Sequence, residues 1–143
     1  MADTTVVASV LTWLETHTSL VNSAGDQLAV MLEDYPAGDG VMFSTLVGEP
    51  YVRRYKSGGA VVAFPFAVYL RASALDTAAR IDAMRVLGDL AESIDDKDSW
   101  PAAPAGFTWD ALSIRTRPAR VATGQVGPDD YQVTFTLTYR KEG

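Results

Sequence analysis

The last stretch of the chain alternates apolar and polar residues more regularly than any other segment. In Tyr131–Arg140 every second residue is aromatic or aliphatic, and the residues between them are mostly threonine. Successive side chains of a β-strand point to opposite faces, so a period of two predicts a strand with one buried face and one polar face. Threonine and aromatic residues also favour strands. The chain must therefore contain a sheet with an apolar layer against one side.

A longer apolar run, Ala60–Arg71, predicts a second strand. The pair Gly58-Gly59 precedes it, and because glycine accepts the positive φ of a tight turn, this pair predicts a hairpin with a strand at Tyr51–Lys56. Pro65 has no N–H to donate, which predicts a bulge or an edge position. The large apolar residues of the run share one face of the strand: Val62, Phe64, Phe66, Val68 and Leu70.

Two segments have the apolar spacing of amphipathic helices. Residues 4–20 and Leu75–Ile94 repeat apolar residues every three or four positions. We expect the second helix to end at the acidic run Asp95–Asp98, because negative charge is unfavourable at a helix C-terminus. Its predicted apolar stripe consists of Ala83, Met84, Leu87, Leu90, Ala91 and Ile94.

The remaining elements complete the order of helix, strands, helix and strands. Strands are predicted at Met42–Val47 and Phe107–Arg117, and Leu28–Leu32 fits either a strand or a helix. Mobile loops are predicted at Asp34–Gly40 and Pro118–Asp130, which are rich in glycine, proline and aspartate. This order predicts the α+β class, with an antiparallel or mixed β-sheet packed against two main helices.

The length of 143 residues and the absence of a long linker predict one domain spanning 1–143. Its core should form where the long strand, the last strand and the second helix meet. Six residues are expected to be buried there: Phe66, Leu70, Leu87, Leu90, Phe135 and Leu137.

The composition restricts the chemistry that this chain can perform. It has 18 acidic and 12 basic residues, a net charge of −6, which disfavours nucleic-acid binding as its main role. It has no cysteine, which excludes disulfides, thiolate nucleophiles and cysteine-ligated metals. No apolar run reaches the ~20 residues of a membrane-spanning helix, so no membrane partner is predicted.

No catalytic, cofactor-binding or metal site is predicted. The single histidine, His17, lies near the end of the first helix, where a structural role and a favourable positive charge are expected. The acids Asp95, Asp96 and Asp98 lack the spacing of a calcium loop. There is no G-x-S-x-G motif and no glycine-rich phosphate loop followed by a helix. We therefore expect a protein that is not an enzyme and carries no cofactor.

Basic residues occur in two strand segments. Arg53, Arg54 and Lys56 have aromatic neighbours, a combination that can contact nucleic acid, but adjacent strand residues point to opposite faces. Arg115 and Arg117 share a face in a regular strand. Salt bridges to an acidic surface explain both groups at least as well as nucleic-acid binding does.

The second half of the chain resembles a known family. The segment GGAVVAFPFAVYLRASALDTAARIDAMRVLGDLAESI joins an apolar strand, an Arg-Ala-Ser hinge and an amphipathic helix, and the chain ends in DDYQVTFTLTYRKEG. This pattern is similar to the tail terminator or minor capsid proteins of long-tailed, siphovirus-type phages. The resemblance spans Val52 to Gly143, and the first fifty residues contribute a leading helix and loop.

The resemblance implies a structural virion protein. Such a protein would form a homo-hexameric ring at the head-proximal end of the tail, after assembly in the host cytoplasm. The ring would cap the tail tube, end its polymerisation and join it to the head completion or connector protein, while DNA passes through the lumen without specific binding. Alternatives are another ring-forming neck or tail completion protein and, in a different class, a small-molecule acyltransferase-like enzyme.

A ring needs a head-to-tail interface between two different sides of each subunit. The sequence offers a basic and an acidic group, and we hypothesise that these pair between neighbouring subunits while unpaired acids face the lumen. The alternative is that both groups are solvated surface. The proposed interface residues are Arg53, Arg54, Lys56, Asp89, Glu92, Asp95, Asp96 and Asp98.

Overall fold

The computed structural model describes residues 4–21, 25–34, 40–46, 53–56, 58–72, 77–122 and 129–142. A short 3₁₀ helix, Lys97–Ser99, separates the second helix from the last two strands. The helices and strands are α1 (Thr4–Glu15), β1 (Val30–Leu32), β2 (Gly40–Thr45), β3 (Arg53–Arg54), β4 (Ala60–Ala72), α2 (Thr77–Ser93), β5 (Phe107–Ala122) and β6 (Asp129–Lys141).

The six strands form one mixed sheet, which confirms the predicted α+β class. Five strands lie in the order β1-β2-β4-β6-β5, and β3 pairs with the start of β4. The β1–β2 pair is parallel and the other pairs are antiparallel. Strand β6 pairs with β4 along the whole length of β4. Strands β2 and β3 therefore both pair with the other side of β4.

The core lies on the face of the sheet that both helices cover. Phe66 of β4 is opposite Phe135 of β6, and their rings stack with centroids 5.3 Å apart. Phe43 of β2 meets Phe66 edge to face at 5.5 Å. The expected burial of six core residues is confirmed for Phe66, Leu70, Leu87, Leu90, Phe135 and Leu137.

Helix α1 ends at Glu15, five residues earlier than predicted. The hydroxyl of Thr16 donates to the carbonyl of Thr12, and the amide of Ser19 donates to Nδ1 of His17 at 3.1 Å. The Thr16 hydroxyl shares the Thr12 carbonyl with the helical bond of the Thr16 amide, whereas Nδ1 of His17 diverts the Ser19 amide from the helical ladder, so the chain turns here. The prediction of helix to residue 20 was wrong for this reason.

Helix α2 confirms the predicted second helix, with one error in its apolar stripe. Met84 is 37% exposed, whereas Val86 is buried. At 100° per residue, Val86 lies closer than Met84 to the centre of the stripe formed by Ala83, Leu87 and Leu90. Met84 and Val86 are both apolar, so residue type alone did not show which of them is buried.

The predicted hairpin before β4 is confirmed, but its first strand is short. Arg53 and Arg54 pair with Val61 and Ala60, and Gly58 has a φ of 96° in the turn. These two residue pairs join β3 and β4 as an antiparallel hairpin. The ambiguous run Leu28–Leu32 contributes the short strand β1.

Pro65 causes no bulge, contrary to the prediction, although β4 is a central strand. The Pro65 carbonyl accepts from the amide of Leu46 at 3.0 Å, just past the end of β2. In an antiparallel ladder the N–H and C=O of one residue point to the same side. The missing N–H therefore faces the point where β2 ends, and the ladder to β6 loses no bond.

The predicted mobile loop at Pro118–Asp130 was wrong for its two ends. Strand β5 continues to Ala122 and β6 begins at Asp129, so the two long strands extend the hairpin into this segment. Several register shifts accommodate the proline, which is tolerated on an edge strand. The rest of this loop, and residues 35–39 of the other predicted loop, lie outside the described residues.

Candidate assembly surfaces

The face of the sheet opposite the helices is broad, and its side chains are mostly small. The strand register assigns the alternate residues of β2, β4, β5 and β6 to this face, which we call the open face. None of the described residues at the centre of this face is charged. They are Met42, Ser44, Val61, Ala63, Pro65, Ala67, Tyr69, Ala111, Ser113, Thr116, Gln132, Thr134, Thr136 and Thr138. Of these, Ala67 and Thr134 are buried.

Charged residues of the open face occur at its two ends, where they form ion pairs. Arg71 donates to Asp130 at 3.0 Å, and Arg140 donates to Asp110 at 2.9 Å. The carboxylates are less exposed than their arginine partners, so each pair is partly shielded from solvent. The open face is therefore a neutral surface with compensated charge at its borders.

The predicted basic group lies at the β2 side of the sheet. Arg53 in β3 and Lys56 in the turn that follows it are both exposed. The register places Arg53 opposite Val61 and Arg54 opposite Ala60, which are positions of opposite faces. The expectation that the two arginines occupy different faces agrees with this pairing.

The predicted acidic group lies at the end of α2. Asp95, Asp96 and Asp98 are all exposed, and Glu92 is exposed one turn earlier. Asp96 caps the 3₁₀ helix, because its Oδ1 accepts from the amide of Asp98 at 3.0 Å. Within the part of the chain that the structure describes, no three acidic or histidine residues are placed to hold a metal ion.

Asp89, the fifth acid of the predicted interface, is already engaged within α2. The guanidinium of Arg85 bonds both Asp82, at 2.7 Å, and Asp89, at 3.1 Å. These neighbouring carboxylates raise the pKa of Arg85. Asp89 therefore contributes less uncompensated negative charge than the sequence alone indicated.

The structure does not bring the basic and acidic groups together within one chain. Helix α2 packs over β5 and β6, whereas β3 lies on the β2 side of β4. Among the described residues, no ion pair joins Arg53 or Lys56 to the acids at the end of α2. Two unlike charged groups thus occupy different sides of the subunit.

His17 joins the two helices as a neutral side chain. Ser93 Oγ donates to the Leu90 carbonyl at 2.6 Å, so it can only accept from Nε2 of His17, 3.0 Å away. Nδ1 accepts from the amide of Ser19, which leaves the proton on Nε2. Burial lowers the pKa of His17. This geometry agrees with the expected structural role.

Three tryptophans hold the segment between α2 and β5 in place. Each indole N–H donates to a backbone carbonyl at 2.6 Å, which satisfies its only polar atom. The sequence shows the three tryptophans and the proline-rich loop, but it does not show which backbone carbonyl each indole binds. The donor and acceptor pairs are Trp13 to Ser99, Trp100 to Ile94 and Trp109 to Pro101.

A shallow pocket of about 500 Å³ lies beside the β3–β4 turn. Its described lining includes Tyr55, Thr108, Arg140 and Lys141, together with Glu142. Arg140 and Lys141 offer cationic groups, and Tyr55 and Thr108 each offer one hydroxyl. No histidine lines the described part of the pocket beside these hydroxyls. The pocket carries no arrangement for covalent catalysis among its described residues.

Comparisons with known proteins do not assign a family. No protein-family model matches the chain, and no curated protein matches it. None of the described helices has both the length and the apolar character needed to span a membrane. The surfaces described above are therefore the basis for a functional proposal.

Proposed function

We propose that this chain is the tail terminator of a long-tailed phage, a structural protein that forms a hexameric ring. The ring caps the tail tube at its head-proximal end, ends tube polymerisation and provides the surface to which the head connector binds. The pattern of Val52 to Gly143 that resembles this family supports the proposal. The supporting structural observation is the open face of the sheet.

The open face has the chemistry of a surface that packs on another protein. Its small, uncharged side chains, such as Ala63, Ser113 and Thr136, allow close approach without leaving buried charges unpaired. A patch that lacks charge at its centre and has polar groups at its rim is typical of protein interfaces. In the ring, this face contacts the tube or the head connector.

The unlike charged groups also support a ring rather than a two-fold dimer. A ring joins two different sides of each subunit, and the β3 side and the end of α2 differ in the sign of their charge. Acids that stay unpaired, together with the net charge of −6, would keep a lumen from binding DNA phosphates.

The test combines native mass spectrometry with electron microscopy of tail tubes. The purified protein, mixed with the tail tube protein of the same phage, should form six-membered rings at tube ends and stop further growth. Rings that bind the head connector but leave tube length unchanged would instead indicate a different neck or tail completion protein. Turnover of an acyl donor by a monomer would indicate the acyltransferase-like alternative.

A matched pair of variants tests the role of the open face. Thr136→Arg places a charge at its centre, whereas Thr12→Arg adds the same charge on the exposed side of α1. We expect only Thr136→Arg to reduce binding to the tube end or the connector, provided that both variants melt like the parent. Equal binding by the two variants would exclude the open face from the contact.

A further inference from the structure

The two edges of the sheet carry opposite charge. Strand β5 is one edge and β1 is the other. On β5, residues 113–120 contain three exposed arginines and no acid: Arg115, Arg117 and Arg120. Around β1, residues 25–34 contain three exposed acids and no base: Asp26, Glu33 and Asp34. The two edges therefore differ in charge more clearly than do the basic group at β3 and the acidic group at the end of α2.

The acidic edge is held in a defined shape. Glu33 follows β1 with a φ of 60°, which is uncommon for a residue with a side chain. Its carboxylate accepts from the amide of Thr45 at 2.6 Å and from the hydroxyl of Ser44 at 3.1 Å. These bonds fix the direction in which the chain leaves β1, so the edge is preformed rather than adaptable.

Both edges also expose large apolar side chains. On the β1 edge, Met31 and Leu32 are 44% and 41% exposed. On the β5 edge, Ile114 is 43% exposed, and Met84 of α2, which packs on β5, is 37% exposed. Apolar residues at the centre of a polar rim are typical of a site that another protein covers.

The position of α2 explains why its exposed Met84 belongs to the β5 edge. Ser93, which receives the His17 hydrogen bond, faces α1. At 100° per residue, Met84 lies on the opposite flank of the helix. Since α2 packs over β5 and β6, this flank faces the β5 edge.

We propose that the β5 edge of one copy pairs with the β1 edge of the next copy, so that the sheets of neighbouring subunits join head to tail. This inference rests on the proposed ring and names its contact. Exposed backbone groups of an edge strand pair readily with another strand. The arginines of β5 and the acids of β1 attract each other, and the apolar residues of the two edges meet between them.

The charges also exclude the competing pairings. Arginines on an edge strand disfavour its pairing with another arginine-rich edge. Two β5 edges repel each other, and so do two β1 edges, which leaves only the unlike pairing. A contact between unlike edges repeats around a closed ring instead of ending at a dimer.

The experiment uses two charge-reversal variants of the full chain. The first carries Arg115→Glu and Arg117→Glu, and the second carries Asp26→Lys and Asp34→Lys. Each variant alone has two edges of like charge, so we expect its assembly to weaken by about tenfold or more at low salt. In an equimolar mixture, the acidic β5 edge of the first variant meets the basic β1 edge of the second, and rings of alternating subunits should form.

A third variant, Arg53→Glu with Lys56→Glu, provides a control with the same change in charge. Its assembly should weaken less than that of the first two variants, because it alters the basic group at β3 and neither edge of the sheet. If this variant loses assembly while the first two keep it, the contact lies at the group predicted from the sequence and the edge pairing is wrong. Native mass spectrometry measures the ring population, and thermal melting verifies that each variant is folded.

Hydrogen exchange separates this inference from the proposed function. Assembly should slow amide exchange in β1 and in residues 113–120. Rings that cap tail tubes without this protection would overturn the edge pairing and leave the function standing. Protected edges and rescue by mixing, in rings that do not cap tubes, would support the pairing and overturn the terminator role.

Discussion

Phe135 tests whether the core is organised around β6 as described. Its side chain is fully buried, and its ring stacks on Phe66 across the β4–β6 ladder at 5.3 Å. The substitution Phe135→Ala removes the ring from the most enclosed part of the sheet. Loss of this ring should lower the free energy of unfolding more than any change at the sheet edges.

The magnitude follows from three contributions. Removing a fully buried aromatic side chain loses about 1.5–3 kcal/mol of transfer free energy. Loss of the stacked ring pair adds about 0.5–1.5 kcal/mol. The cavity left between β4, β6 and α2 adds a further amount, which brings the expected loss to about 3–5 kcal/mol. This is a large part of the ~5–15 kcal/mol that stabilises a typical domain.

Urea denaturation measures the loss, with Ile81→Ala as the control. Ile81 is 64% exposed on α2, so its truncation should change the free energy of unfolding by less than about 0.5 kcal/mol. The slopes of the two unfolding curves should match that of the parent. A loss below ~1 kcal/mol for Phe135→Ala would show that the register of β6 is wrong.

Three further changes test individual contacts. Because burial lowers the pKa of His17 from 6.5, the unfolded chain binds more protons below that pH, and stability should fall as the pH decreases. His17→Gln should flatten this part of the pH profile of urea unfolding, and an unchanged slope would contradict the neutral histidine. Gly58→Ala should cost about 1–2 kcal/mol because Gly58 has a φ of 96°. Gly88→Ala should instead stabilise α2 by about 0.5–1 kcal/mol, since no atom lies within 4 Å of the added Cβ. Equal effects of the two glycine substitutions on the urea midpoint would refute the turn assignment.

Elements with a regular local pattern were predicted correctly from the sequence. The alternation of Tyr131–Arg140 identified β6 and the face that it buries. The apolar run Ala60–Arg71 identified β4 and its buried side. Periodicity is sufficient in these cases because the whole of one face is packed against a neighbouring layer, so every second residue reports on the same environment.

The errors occurred where a neighbouring strand or helix overrides the local signal. Pro118 resembled a loop residue, but the long ladder with β6 continues β5 past it. Pro65 fits a central strand only because β2 ends beside it. The segment around His17 did not show that its ring bonds Ser93 of α2 or that burial lowers its pKa. None of these neighbours is close in sequence, so the pattern around each residue could not reveal them.

The sequence by itself determined the α+β class, the strands β4 and β6, the second helix and the restricted chemistry of a chain without cysteine. The tertiary structure decided which surfaces stay available for assembly. The open face and the two oppositely charged edges depend on strand order, which places β1 and β5 at the ends of the sheet. Strand order results from pairing between segments distant in the chain, and such pairing leaves no periodic signal within either segment.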